Sequence, residues 1–257
     1  MWCRDLEAHE ILEERSYNVV KHNDLIQKSR YYLSAQEQKI IIYIISKVKP
    51  NDEDFNLYEF QISDFCKVCG LDYDNGANYQ YIKKTLKDLR DKSIWVTLAD
   101  GSEETLGWIN RVRINKRSGV VLIKLDEMMK PYLVQLKKTF TVYSIYFVLA
   151  MKSKYSIRLY EILKSYQNLG QYEVEIEQLK MLLNAEAYDD FKDFRVKVLG
   201  IAMREINDYS DILASYELEK KGRKFHKIKF LIKPKYKEKF DESIRTWKNI
   251  NKVLDKR

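Results

Sequence analysis

Apolar positions along the chain fall at helical spacing, then strand spacing, then helical spacing again, and the cycle occurs twice. Residues 34–48 (SAQEQKIIIYIISKV) open with Ser34, place Glu37 three residues on and continue apolar at helical spacing, which predicts a capping box and a helix. Residues 57–62 read as a strand, and residues 63–68 as a short helix with Ser63 as its cap and Gly70 at its end. Across residues 78–92, Ile82, Leu86 and Leu89 share one helical face, which leaves Gln80, Lys83, Lys84 and Lys87 on the other. Residues 94–98, 105–115 and 120–125 are rich in β-formers, and alternation sets Trp108, Asn110, Val112 and Ile114 against Ile109, Arg111 and Arg113. The order helix, strand, helix, helix, strand, strand is that of a winged helix-turn-helix.

The same order returns. Residues 155–168 predict a helix, 172–176 a strand, 177–183 a short helix and 189–207 a long one, followed by strands at 213–219 and 225–232. Ile62 maps onto Ile176, and Ile82, Leu86 and Leu89 onto Leu199, Met203 and Ile206, so two copies of one unit are expected. The expected class is α+β with two tandem winged helix-turn-helix domains, at 21–126 and 153–235. An extension at 1–20, a connecting helical segment at 127–152 and a basic tail at 236–257 complete the layout.

In such a unit the third helix enters the major groove and the β-hairpin wing lies on the backbone. At about 100° per residue, Phe191, Phe194, Val198, Leu199, Ala202 and Ile206 of the second long helix cluster on one side. Asp193, Lys197, Gly200, Arg204 and Asn207 fall opposite, with Lys192 near the start. Gly200 suits either close approach to a DNA backbone or a helix crossing. Arg195 falls toward the apolar side, where it would pair with an acid. Lys220, Lys221, Arg223 and Lys224 surround a turn glycine, which suits phosphate contact rather than base reading. Lys116 and Arg117, with Arg111 and Arg113 on the adjoining strand, have the same character in the first copy. Most of the nineteen tyrosines, such as Tyr43, Tyr143, Tyr146 and Tyr160, stand in apolar periodic contexts and are expected in the core.

Charge localises the picture further. The 257 residues carry a net charge of +8, yet residues 220–257 alone hold fifteen Lys or Arg against four Asp or Glu. Local basic surface is the footprint of a polyanion partner. No apolar run approaches the ~18 residues of a membrane span, and acids stand in residues 1–7 where a signal peptide is apolar, so a cytoplasmic protein without a membrane role is expected. Cys3, Cys66 and Cys69 are too few for a disulfide framework, and His9, His22 and His226 supply no second ligand pair for zinc. Neither a phosphate-binding glycine loop nor the HxH pair of a metal-dependent nickase is present, so neither enzyme chemistry nor a cofactor is expected.

Several stretches resemble the plasmid replication initiator Rep family of iteron-binding proteins. They are Leu33-Ser-Ala-Gln-Glu-Gln-Lys39, Pro131-Tyr-Leu133 followed by Phe140 and Tyr143, and Tyr155-Ser-Ile-Arg-Leu-Tyr-Glu-Ile-Leu-Lys164. Asp193-Phe-Arg195 with Val198-Leu199 and Glu205-Ile-Asn207, and then Lys220-Lys-Gly-Arg223, complete a resemblance that covers about residues 20–235. It implies a chain that binds direct repeats in double-stranded origin DNA as a monomer, promotes opening of an adjacent AT-rich segment and engages host replication proteins. It also implies a homodimer in free solution that represses its own gene at an inverted repeat. The family pattern carries DNA contact onto Lys197, Arg204 and the 220–224 wing, and departs at Val196, where relatives can carry a basic residue. A tandem winged-helix transcriptional regulator without origin activity is the alternative reading.

Overall fold

The computed structural model describes residues 18–235 apart from 50, 51, 53, 70–75, 137 and 138; the side chains of 69 and 76–78 also lie outside the description. Gly70 as a helix stop, the tail at 236–257 and all but the last residues of the expected extension therefore lie outside the described residues. The chain forms two compact units that divide between Leu149 and Ala150.

The first unit runs β1 (Asn18–His22), α1 (Asn23–Gln27), β2 (Ser29–Arg30) and α2 (Ala35–Ile45). Ser34 Oγ accepts the Glu37 N–H at 3.3 Å and Glu37 Oε2 accepts the Ser34 N–H at 2.7 Å, so the capping box forms. α2 is buried from Glu37 to Ile45 and is the central helix of its unit; it stops at Ser46, earlier than the apolar run suggests. Next come β3 (Tyr58–Gln61), α3 (Ile62–Cys69), α4 (Gly76–Asp91), the hairpin β4 (Ser93–Thr97) with β5 (Glu103–Gly107), and the hairpin β6 (Ile109–Ile114) with β7 (Val120–Leu125). α5 (Lys130–Leu133), β8 (Phe140–Ser144) and α6 (Ile145–Ala150) close the unit.

Several expectations shift. Ser63 lies inside α3, which begins at Ile62. The predicted strand 105–115 is two strands, because Trp108 interrupts it and packs edge-on to Tyr31 at 5.1 Å. Asn110 is then the extra residue of a bulge, so it is exposed while Trp108 and Ile109 are both buried, and alternation resumes only with Arg111. Residues 127–152 are not simply helical: β8 pairs antiparallel with β1, Val19 opposite Tyr143, and both of these side chains are buried.

The second unit runs α7 (Lys154–Ser165), β9 (Gln171–Glu175), α8 (Ile176–Leu183) and α9 (Phe191–Phe194), then a π turn (Arg195–Leu199) leading straight into α10 (Gly200–Tyr209), and the hairpin β10 (Ile212–Lys221) with β11 (Lys224–Pro234). Its sheet, ordered β10-β11-β9, repeats the β6-β7-β3 sheet of the first unit. Phe60 faces Val121 as Val174 faces Ile228, and Tyr58 faces Ile123 as Tyr172 faces Phe230. The mapped stripes Ile82, Leu86, Leu89 and Leu199, Met203, Ile206 are all buried. The units are therefore two copies of one winged helix. The hairpin β4-β5 is an insertion peculiar to the first; in the second, only Ser210 and Asp211 separate the third helix from the wing.

Each copy ties its third helix to the start of its first. In the second unit the buried carboxylate of Glu205 on α10 accepts the N–H of Lys152 at 3.2 Å and of Ser153 at 3.1 Å, just ahead of α7. In the first, where α2, α3 and α4 are the three helices of the winged-helix order, Lys92 just past α4 donates to both oxygens of Glu37 in α2 at 2.7 and 2.8 Å. Hydrogen bonds to a buried charge contribute about 1.5–3 kcal/mol. Glu205→Ala should therefore lower the unfolding free energy by roughly that amount in urea titrations, with the Lys152 and Ser153 amides exchanging hydrogen faster than in the parent.

Candidate nucleic-acid interface

The long helix of the second unit buries Phe194, Val198, Leu199, Ala202, Met203 and Ile206 against its own domain and exposes Lys192, Asp193, Lys197, Gly200 and Arg204. The π turn changes the reading of three neighbouring residues. The Gly200 N–H donates to the Arg195 carbonyl five residues back, and a β-carbon at 200 would stand 3.3 Å from that oxygen. The helix's own backbone thus supplies a reason for glycine at 200. The wider turn also carries Arg195 to the surface with Val196 and Lys197, rather than to the apolar side. Asn207 leaves the outward set: its side chain donates to the Ala214 carbonyl at 2.9 Å and accepts the Ala214 N–H at 2.7 Å, fastening α10 to β10.

Lys197 Nζ lies 2.8 Å from Asp193 on the preceding turn, and the hydrogen-bonded carboxylate raises the lysine's pKa above its usual range. α4 repeats the device. Gln80, Lys83, Lys84 and Lys87 are exposed, and Lys84 pairs with Asp88 at 2.5 Å, its pKa raised for the same reason. Lys83, Lys87, Lys192 and Arg204 make no ion pair among the described residues.

Both wings present cations at their tips. Lys221 pairs with Lys224, which leaves Gly222 and Arg223 as a two-residue loop; Gly222 at φ +67° takes the left-handed first position that such a loop needs. Lys220, Lys221, Arg223 and Lys224 are exposed, and Lys220 Nζ sits 4.9 Å over the Phe225 ring. Phe225 in turn packs 4.8 Å from Phe191, the first residue of α9. This aromatic contact holds the tip end of the wing against the helix. No sequence signal links the two phenylalanines, so the pattern alone does not find it. In the first unit, Asn115 Oδ1 accepts the Arg117 N–H at 3.0 Å and the Ser118 N–H at 3.4 Å, fixing a tip where Lys116 and Arg117 are exposed. Arg113, Lys116, Ser118 and Leu122 line a cleft of about 640 Å³ beside it, and Arg111 is exposed on the same strand.

Away from the tip, the outer face of the second sheet is different. Glu217, Lys229 and Glu173 form one cross-strand row, and Glu219, Lys227 and Glu175 the next; Lys227 meets Glu173 at 2.9 Å. In these two rows cations are balanced by acids, so on this part of the wing the uncompensated positive charge lies at the tip.

The stretch 155–164 is structural. Ser156, Arg158, Tyr160 and Glu161 are buried, Arg158 Nε donates to the Leu182 carbonyl at 3.2 Å, and the Tyr160 hydroxyl donates to Asp211 at 3.0 Å. Burial, reinforced by Asp211, pushes the Tyr160 phenol well above its usual pKa. Among the described residues, no group of His, Cys, Asp and Glu is placed to hold a metal ion, and no helix is long and apolar enough to cross a membrane.

Comparison with known proteins adds independent matches. Residues 18–164 match the model of the family described as Initiator Replication protein, WH1, and residues 175–232 that of Initiator Rep protein, WH2. A replication initiation protein of Escherichia coli is 27% identical over 217 residues, which span 80% of this chain and 66% of that protein, a little under two thirds of its length. An uncharacterized 27.6 kDa protein of Escherichia coli is 19% identical over 219 residues, spanning 79% of this chain and 91% of its own. Among solved structures, the Pi initiator protein in complex with iteron DNA superimposes with a TM-score of 0.70 at 20% identity, over 86% of this chain and 98% of that one. At that identity the likeness is one of fold.

The wing geometry makes two expectations about duplex binding. Arg223→Ala should weaken binding to specific and random duplex alike and reduce the log-log salt slope by about 0.9, the loss of one phosphate contact. Phe191→Ala and Phe225→Ala should each weaken binding, and their combined loss should fall short of the sum by about 0.5–1.5 kcal/mol, the coupling of an aromatic pair. Filter binding across a salt series measures both.

Proposed function

Because the chain belongs to the initiator replication protein family, its two winged-helix units matched in order, we propose that it initiates replication of a plasmid by binding direct repeats in double-stranded origin DNA. The observation that carries this reading is the tandem arrangement itself: each unit offers an exposed third helix and a cation-tipped wing. Two such units on one chain suit a direct repeat, which has no two-fold axis and fits single chains in tandem. Lys197, Arg204 and Lys192, with Gln80, Lys83, Lys84 and Lys87 of the first unit, are the proposed groove-facing set. The two wings supply phosphate contacts that position the chain without reading sequence. The role is non-enzymatic and cytoplasmic. Bound repeats promote opening of a neighbouring AT-rich tract, and host replication proteins join there. A homodimer in free solution represses the chain's own gene at an inverted repeat, whereas one chain occupies each direct repeat.

Footprinting on the DNA upstream of the reading frame tests the proposal. Protection of a set of direct repeats beside an AT-rich tract is the expected result. Protection of a single inverted repeat at the promoter, with no repeats and no support of plasmid maintenance in trans, would make the protein a regulator instead. Light scattering should find one chain per repeat in the complex and two per particle in free solution at micromolar concentration. Two chains on a single direct repeat would remove the monomeric mode of binding.

A further inference from the structure

The π turn sets an apolar side chain in the middle of the outward face of the second third-helix. Val196 is 62% exposed, between the exposed Arg195 and Lys197. A β-branched residue within a helix loses side-chain freedom, and exposed apolar surface gains nothing from its own fold. Neither local propensity nor core packing accounts for valine here. The neighbouring polar groups differ in what they can offer: Lys197 is already bonded to Asp193 at 2.8 Å, while the guanidinium of Arg195 carries a fork of donors. The major-groove edges of the four base pairs are donors and acceptors with one exception, the C5-methyl of thymine.

Resting on the proposed function, we propose that Val196 is a specificity-determining residue of the second unit, and that it packs on the C5-methyl of a thymine in the repeat. The π turn is what makes this contact accessible, because it brings three consecutive residues to the surface together. The arrangement gives the recognition face an apolar centre flanked by cations, which suits a thymine beside a base or phosphate that accepts hydrogen bonds.

The test uses the full-length protein and a high-affinity duplex selected by it from a random pool, so that no repeat sequence need be assumed. Thymines in that duplex are replaced one at a time by deoxyuridine, which removes only the methyl group. The parent protein should lose about fourfold in affinity at one or two positions, the scale of one buried methyl. Val196→Ala should bind the unmodified duplex correspondingly less well and show no further loss at those positions. Val196→Thr, which keeps one methyl at the same branch, should retain part of the sensitivity. A parent protein indifferent to every replacement would overturn the inference, and so would a Val196→Ala protein as sensitive as the parent. If no duplex is enriched over random DNA, sequence-specific binding itself fails, an outcome distinct from enrichment without methyl dependence. Because Val196 has little packing to lose and alanine is the better helix former, neither variant should unfold at a lower temperature than the parent.

Discussion

The structure depends on a polar tie between the third helix of each unit and the start of its first helix. An apolar stripe such as Ile82, Leu86 and Leu89 fixes which side of a helix is buried, but it opposes sliding along the helix axis only weakly. A carboxylate that accepts backbone amides at a helix start opposes sliding directly, because those N–H groups have no partner within their own helix and point one way. Glu205 does this from the third helix, reaching back to Lys152 and Ser153. In the first unit the roles are exchanged. Glu37 closes its own helix's capping box and also receives Lys92 from just past the end of the third helix. The same junction is made by different residues, which is why the two copies superpose in layout while sharing little sequence.

With the helices so placed, the interface separates two tasks. Lys84 and Lys197 each share an aspartate one turn away, Asp88 and Asp193. Exposed pairs of this kind are weak and screened by solvent, so they keep a cation ordered yet release it to a stronger acceptor. The wing cations have no such partner among the described residues and stand on tight loops, Gly222-Arg223 in one unit and the Asn115 turn in the other. One lysine on each helix is therefore tempered and placed, whereas charge on the wings is left to attract.

Much of this was legible in the sequence because it is encoded locally. The capping box at Ser34 and the outward lysines of residues 78–92 are short-range patterns, and so are the glycine-centred wing of the second unit and the helix–strand order of both units. What escaped depends on partners distant along the chain or on backbone choices that composition does not mark. β8 is a strand because Tyr143 and Val19 meet across 124 residues of separation in number, not because of anything adjacent to it. Asn207 reads as groove-facing on a helical wheel, and only the arrival of β10 beside it reveals its bonds to Ala214. A wheel drawn at constant rotation also misplaces Arg195, since one π turn widens the helix just where the outward face is set.

The charged rows on the outer face of the second sheet bear on how a duplex is met. Four glutamates and two lysines occupy those rows, while the tip beyond them is wholly cationic. The domain therefore carries an electric dipole along its wing, and a polyanion approaching the sheet face is repelled while one approaching the loop is drawn in. At about 0.1 M salt such a field reaches roughly 10 Å, so it cannot gather DNA from afar. It acts in the last step of an encounter, turning the domain before contact so that a larger fraction of collisions arrive tip first.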